Sequence, residues 1–345
     1  MKNEILLAAV ALTGAFAECA SAHEPELREV SRRVIRENAE PMNFCFGHLF
    51  PDGSIYMGHS IGRHMVTERA TSIFSPDKGK TWTFEGKGSG FCSFVTKDGR
   101  KRFVNAWDHA IAKEHSVSVT TCVNNEKGTT VKTKIVMPEP MRCLFHRDVL
   151  RLDDGTLLLT CYSVDESSGK SRARAYVVAS DDDGLNWRFL SFLPQVEDAE
   201  EGVNEAAIVQ LKDGRVKAFV RTGDDRQGNT RVIALMGYVS HDRGKTWGEG
   251  KAVADYGVDP QTGLLSDGTL FLLSGRPGVY LMLDPTGTGD HFRRHDVFKG
   301  RGSAYSTLME VEPGKLLIVY DESAFVNQKG DKPVNRIMQV EYEYR

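Results

Sequence analysis

Glu205 and Arg221 stand nine residues before and seven residues after Gly214, and Tyr305 and Asp321 stand at the same two offsets from Gly314. The same offsets pick out His146 and Tyr162 around Gly155, and Asp259 and Gly275 around Gly268, with Arg276 next in line. Carboxylates, phenols and an imidazole can pass protons, and guanidinium groups bind anions through forked, charge-assisted hydrogen bonds. Such a set suits acid–base chemistry on an anionic ligand if one element repeat brings all of it to one place. The polar lining of a wet channel is the other use for the same residue types.

The repeat is visible in the chain. A β-type run, a turn built on Asp-Gly or an equivalent, and a second β-type run recur six times, with turn glycines at 53, 99, 155, 214, 268 and 314. Such a turn needs the positive φ that glycine adopts cheaply, so each copy predicts a hairpin. The spacing, 46 to 59 residues between successive turn glycines, matches one four-stranded sheet with its loops and predicts six blades of an all-β propeller. If each hairpin supplies the inner strands of its blade, the open ends ring one mouth of a central channel. Residues equally far from a turn then lie side by side there.

A second motif follows three of the turns: Ser75-Pro-Asp77-Lys-Gly79-Lys-Thr81-Trp82, Ser180-Asp-Asp182-Asp-Gly184-Leu-Asn186-Trp187 and Ser240-His-Asp242-Arg-Gly244-Lys-Thr246-Trp247. Degenerate copies stand at Val123–Gly128 and Asp284–Phe292. This S-x-D-x-G-x-T-W pattern is an Asp box, a turn in which Asp caps backbone amides while Trp packs between sheets. Through it the chain, over residues 40 to 345, resembles the sialidase superfamily of six-bladed propellers, as a divergent member. The segments Asn204-Glu205…Arg221 and Ala304-Tyr305-Ser306…Asp321 are similar to that superfamily's signatures, with Asp where Glu usually closes the second.

The resemblance implies a tyrosine nucleophile, Tyr305, activated by Glu205. A neutral phenol suits a sugar whose anomeric carbon bears a carboxylate, and its ordinary pKa of about 10 demands a nearby base. Arg221 and Arg276 correspond to two of the family's substrate-carboxylate arginines. The pattern breaks in blade 1, where Met42-Asn43-Phe44-Cys45 replaces the segment of the first arginine and no Asp follows before the first box. His59 and His64 are the replacement proton donors, with Glu68 as a further option, and Arg63 the replacement for the lost arginine. His146 and Arg147 in blade 3 would add charge for an anionic ligand, unless Arg147 only salt-bridges its neighbour Asp148. The acidic run Glu197–Glu201 reads as a solvated loop.

Composition bounds the rest. The 345 residues are 40% hydrophobic and 26% charged with a net charge of -3, a globular profile with no electrostatic footprint for nucleic acid. Residues 1–22 read as a signal peptide: Lys2, an apolar run from Ile5 to Ala17, then Ala20-Ser21-Ala22 before the cleavage point. Residues 23–345 would be one secreted or periplasmic propeller domain, Cys19 offering a lipoprotein alternative that Glu18 disfavours. No later stretch has the length of a membrane span. Five cysteines remain after cleavage with no C-x-x-C spacing, so buried thiols are expected, and neither metal nor cofactor is implied. Three functions fit: a sialidase-like exo-glycosidase acting on an acidic glycan, a lyase using His and Tyr on a uronate, or a non-catalytic glycan-binding propeller.

Overall fold

The structure, a computed structural model, describes residues 26–62, 69–84, 92–108, 116–122, 130–139, 141–165, 172–199, 201–223, 234–276, 278–300, 302–323 and 334–345. Their regular structure is β-strand throughout, in six antiparallel sheets that form the blades of a propeller. The innermost strands of blades 1 to 6 are Met42–Leu49, Ser93–Val95, Cys143–Arg151, Ala206–Gln210, Val258–Leu264 and Ser306–Glu312, and successive ones pack on one another from blade 2 round through blade 6 to blade 1. Among the described residues, four sheets have four strands. Blade 1 has three, its fourth edge reduced to a Phe74–Thr83 bridge, and blade 3 has a fifth because Trp107–Asp108 adds to its inner edge.

Burial on both faces explains why the middle strands are largely apolar, with a buried Lys217 and Ser274 among them. Val216–Val220 and Leu270–Gly275 are buried at every position, whereas the outer strand Thr130–Val136 is mostly exposed. All six turn glycines have φ between 74° and 91°, as the hairpin reading requires. The apolar residues do not form one central core. They form wedges between blades, such as Phe94, Phe145 and Trp187 between blades 2 and 3, and Leu273, Ile318 and Tyr342 between blades 5 and 6. The ring closes on strand Leu27–Glu37, which pairs antiparallel with Arg336–Tyr344 as the outer strand of blade 6.

The Asp boxes clasp the ends of third strands on the face opposite the hairpins' open ends. In each, the Ser hydroxyl donates to the Asp and accepts from the box glycine's amide, while the Asp accepts from the amide of residue 81, 186 or 246 at 2.8 to 2.9 Å. Trp82, Trp187 and Trp247 lie in the wedges between blades. In the degenerate copy Asp284 itself occupies the buried first position and accepts from the amides of Gly289, Asp290 and His291. Residues 123–128 and the leader lie outside the described residues. Four of the expected thiols, Cys45, Cys92, Cys143 and Cys161, are free and buried.

Asp182→Ala removes the acceptor for Ser180 Oγ, Asn186 N and Asn186 Nδ2. It should lower stability by about 1–3 kcal/mol, read as a lower denaturant midpoint. Ligand binding should be unchanged, because the box lies on the face away from the open ends.

Candidate active site

Glu205 and Tyr305 are placed where the offsets predict. The ladder pairs Ala206 with Val220 and Ser306 with Tyr320, so Glu205 faces Arg221 and Tyr305 faces Asp321 at the open ends of blades 4 and 6. Three other inner strands slip. In blades 1, 3 and 5 the register shifts between Asn43 and Phe46, His146 and Leu150, and Val258 and Gln261. Phe44, Arg147 and Asp259 sit in these bulges at φ 65°, 67° and 47°, and Ala304 and Arg276 are left-handed beside them. Each such conformation costs a non-glycine residue about 1–2 kcal/mol, so the contacts around it must hold it in place. The bulge pairs His146 with Thr160 and Tyr162 with Leu144, correcting the predicted His146–Tyr162 partnership.

Glu205 is buried at the centre of the mouth and receives donors from three blades. Arg221 Nη1 lies 3.0 Å from both its oxygens, the Asp259 amide donates to Oε2 at 2.8 Å, and the Tyr305 hydroxyl donates to Oε1. Burial opposes the carboxylate charge, but Arg221, His146, the Tyr305 bond and Arg276 together outweigh it. They hold Glu205 well below the usual carboxylate range. Burial, reinforced by the charge of Glu205, pushes the Tyr305 phenol well above its ordinary value despite Arg221 and Arg276. The pair is therefore a neutral phenol donating to an ionised carboxylate.

Arg221 is engaged by the protein more than the sequence suggests. Its Nη2 donates to Glu201 Oε2 at 2.8 Å, so the last residue of the acidic run is no solvated bystander but a member of the site. Arg147 does not pair with Asp148. Its Nη2 lies 2.7 Å from Asp259 Oδ2 and donates to the carbonyls of Asp259 and Ser306, while Asp148 accepts from Gln261. His146 Nε2 lies 2.9 Å from Asp259 Oδ1 and Nδ1 lies 3.2 Å from the Ala206 carbonyl.

Behind Tyr305, Asp321 accepts from the amide and hydroxyl of Ser303 and from the Ser323 hydroxyl. Burial pushes its carboxyl up to about 6. Ser303 in turn accepts the Tyr305 amide on its Oγ and the Arg276 guanidinium on its carbonyl, so Asp321 and Arg276 brace one short segment. Arg276 also lies 5.5 Å from the centre of the Tyr305 ring. Phe44 and Phe46 meet that ring edge-on at 4.6 and 5.6 Å, giving the mouth an aromatic wall on the blade 1 side.

His59 does not join this group. It sits within 3.1 Å of both Arg36 Nη1 and Thr71 Oγ1, between blade 1 and the strand that closes the ring. Burial, with the charge of Arg36, pulls its pKa down to about 4, which leaves the ring neutral and without a proton to give near neutrality. Arg63, His64 and Glu68 lie outside the described residues. The hairpin offsets point to Asp259 without a role, and nothing in the sequence marks Glu201, Ser303 or the aromatic wall, which only neighbouring blades bring to the site. A cavity of about 270 Å³ lies further along the same inner strands, between Asp148–Arg151, Ile208–Gln210 and Thr262–Leu264, and neither Tyr305 nor Glu205 lines it.

The BNR repeat-like domain family matches residues 102–318. No curated protein sequence matches the chain. Among solved structures it is similar to a protein of unknown function from Dyadobacter fermentans DSM 18053, at 18% identity and a TM-score of 0.73, covering 92% of this chain and 99% of that one. It is also similar to the Hadza microbial sialidase Hz136, at 14% identity and a TM-score of 0.63, covering 87% of this chain and 65% of that one. An α-L-arabinanase of Penicillium chrysogenum, complexed with arabinobiose, is similar at 13% identity and a TM-score of 0.60, covering 91% and 98%. At these identities the likeness is one of fold, and it is a fold on which glycoside hydrolases of more than one kind are built. With well over half of its length matched, and with its Asp boxes bonded as such repeats require, the chain belongs to the BNR repeat-like domain family.

Proposed function

We propose that the protein is an exported, sialidase-like exo-glycoside hydrolase that removes a carboxylate-bearing terminal sugar through Tyr305. The observation that carries this reading is the hydrogen bond from the Tyr305 hydroxyl to Glu205, at a channel mouth flanked by Arg221 and Arg276. The phenol attacks the anomeric carbon as its proton passes to Glu205 Oε1, and the glycosidic oxygen departs with a proton from a donor on the blade 1 side. His59 is too well buried and too weakly basic for that step, which leaves His64 or Glu68 in the following connection. Water, deprotonated in the reverse sense, then releases the sugar from Tyr305. A neutral nucleophile avoids the repulsion that a carboxylate would meet from an anomeric carboxylate. Arg276 neutralises that group, and Arg221, already turned to Glu205 and Glu201, contributes its charge. A lyase with His146 as base is less well served, because both ring nitrogens already face acceptors.

The test is turnover of acidic glycans, including a fluorogenic sialoside, with reducing ends and near-ultraviolet absorbance followed together. Tyr305→Phe should reduce hydrolysis by at least about a thousandfold and Glu205→Gln by roughly 10² to 10⁴, with the fold unchanged by circular dichroism. Absorbance without reducing ends would replace the hydrolase by a lyase, and binding without either would leave a glycan receptor.

Recognition of the carboxylate gives a second check. Converting it to an amide on the same fluorogenic substrate should cost about 1.5–3 kcal/mol in kcat/KM, and Arg276→Gln should cost a similar amount on the acid but little more on the amide. Equal losses on both substrates would remove Arg276 from carboxylate recognition.

A further inference from the structure

Arg221 has two carboxylates to satisfy, and they divide its guanidinium between them. Glu205 takes Nη1, which lies 3.0 Å from both of its oxygens, and Glu201 Oε2 takes Nη2 at 2.8 Å. The Arg221 Nε is buried. Nη2 is therefore the nitrogen through which Arg221 would have to hold a ligand's carboxylate, and Glu201 already stands on it. The three side chains form a row that opens to solvent at one end: Glu205 is 6% exposed, Arg221 5% and Glu201 28%.

The backbone keeps Glu201 in that place. The Ala173 amide donates to the Glu201 carbonyl at 2.7 Å and the Val203 amide donates to the Ala173 carbonyl at 3.1 Å, a parallel bridge that ties the segment to blade 3. Gly202 makes this approach possible: it is left-handed at φ 74°, and a Cβ on it would stand 2.2 Å from the Ala173 carbonyl oxygen. Arg172 Nη2 fastens the start of the same segment through the Val196 and Glu197 carbonyls, at 2.8 and 3.1 Å. Asn204 joins the two carboxylates' segments, with Nδ2 3.5 Å from Glu201 Oε2 and Oδ1 accepting the Glu205 amide at 2.6 Å. A merely solvated loop needs no such ties.

We propose that Glu201 is a specificity residue set against the ligand's own charge: it occupies the Arg221 nitrogen that a sugar carboxylate would take, and so leaves that carboxylate to Arg276. This rests on the acidic-substrate reading above. Two carboxylates brought to one guanidinium nitrogen repel, so an acidic sugar at the mouth forgoes a charge-assisted hydrogen bond from Arg221. The consequence has an uncommon sign. Neutralising Glu201 strengthens binding of the acid, whereas removing a merely structural support would weaken it.

Glu201→Gln removes the charge and keeps an oxygen that accepts from Arg221, and calorimetric Kd values read the result. For N-acetylneuraminic or glucuronic acid, Kd should fall by about tenfold. For the carboxamide of the same sugar it should change by less than about twofold, because no ligand charge is left to repel. Asp198→Asn removes a charge from the same acidic run at an exposed position. It should leave both Kd values within about twofold, which separates contact at Arg221 from the general field of the loop. Glu201→Ala provides the same comparison without any acceptor, should Gln disturb the loop. Unchanged or weaker binding of the acid in a folded Glu201 variant, or an equal gain in Asp198→Asn, would overturn the proposal. No binding of an acidic sugar by the wild type or any variant would overturn the acidic-substrate reading, and this inference with it.

Discussion

The Glu205 carboxylate is a charge buried where water cannot solvate it, and its desolvation must be offset by donors the protein supplies. Those donors come from three blades: Arg221 beside it in blade 4, the Asp259 amide in blade 5 and the Tyr305 hydroxyl in blade 6. None is near another in sequence, so the site exists only when the ring is closed. That closure depends on strand Leu27–Glu37, which joins the start of the described chain to its end in one sheet. The wedge cores, the Asp boxes and the hairpin turns all serve to hold six sheets at the spacing that satisfies one carboxylate.

The left-handed residues of the inner strands follow from the same constraint. A regular ladder would leave alternate side chains pointing along the channel wall. A bulge rotates one residue out of that alternation and aims it at the mouth. Phe44, Arg147 and Asp259 are each turned in this way, and each is then pinned: Phe44 against the Tyr305 ring, Arg147 and Asp259 against one another. Backbone strain is concentrated where the chemistry is, and the ion pairs and aromatic contacts that hold it are themselves parts of the site.

The electrostatics divide the labour. Glu205 is kept ionised by the guanidinium and hydroxyl groups around it, while burial keeps Tyr305 neutral. Asp321 and Asp259 are both raised by burial; Asp321 braces the segment that carries Tyr305, and the Asp259 carboxyl lies against His146 and Arg147. A carboxylate that needs to be charged and carboxyls that need only to hold backbone and neighbouring side chains are thus separated by what each one touches.

The sequence by itself determined the number of blades, the six hairpins and the three Asp boxes, because these depend on local backbone demands that Gly, Asp, Ser and Trp meet at fixed spacing. It also determined the facing pairs Glu205–Arg221 and Tyr305–Asp321, where the ladder stays in register up to the open end, the one shift in blade 6 lying beside its turn at Glu310–Glu312, and counting from the turn is enough. Where a bulge intervenes, counting fails by one or two residues. No glycine marks those bulges, since Phe, Arg and Asp are forced into left-handed conformations by partners on other blades. His59 looked like a site residue because it lies at the right height on its strand, yet its side chain points between blades to Arg36 and Thr71. Only the tertiary structure decided that Arg147 pairs with Asp259 rather than its neighbour, that Glu201 joins Arg221, and that an aromatic wall stands where an arginine was expected. Each of these is a contact between separate blades, and the physical reason is the same: local pattern specifies a strand and its turn, whereas the pairing of buried charges is settled by which blades the closed ring sets side by side.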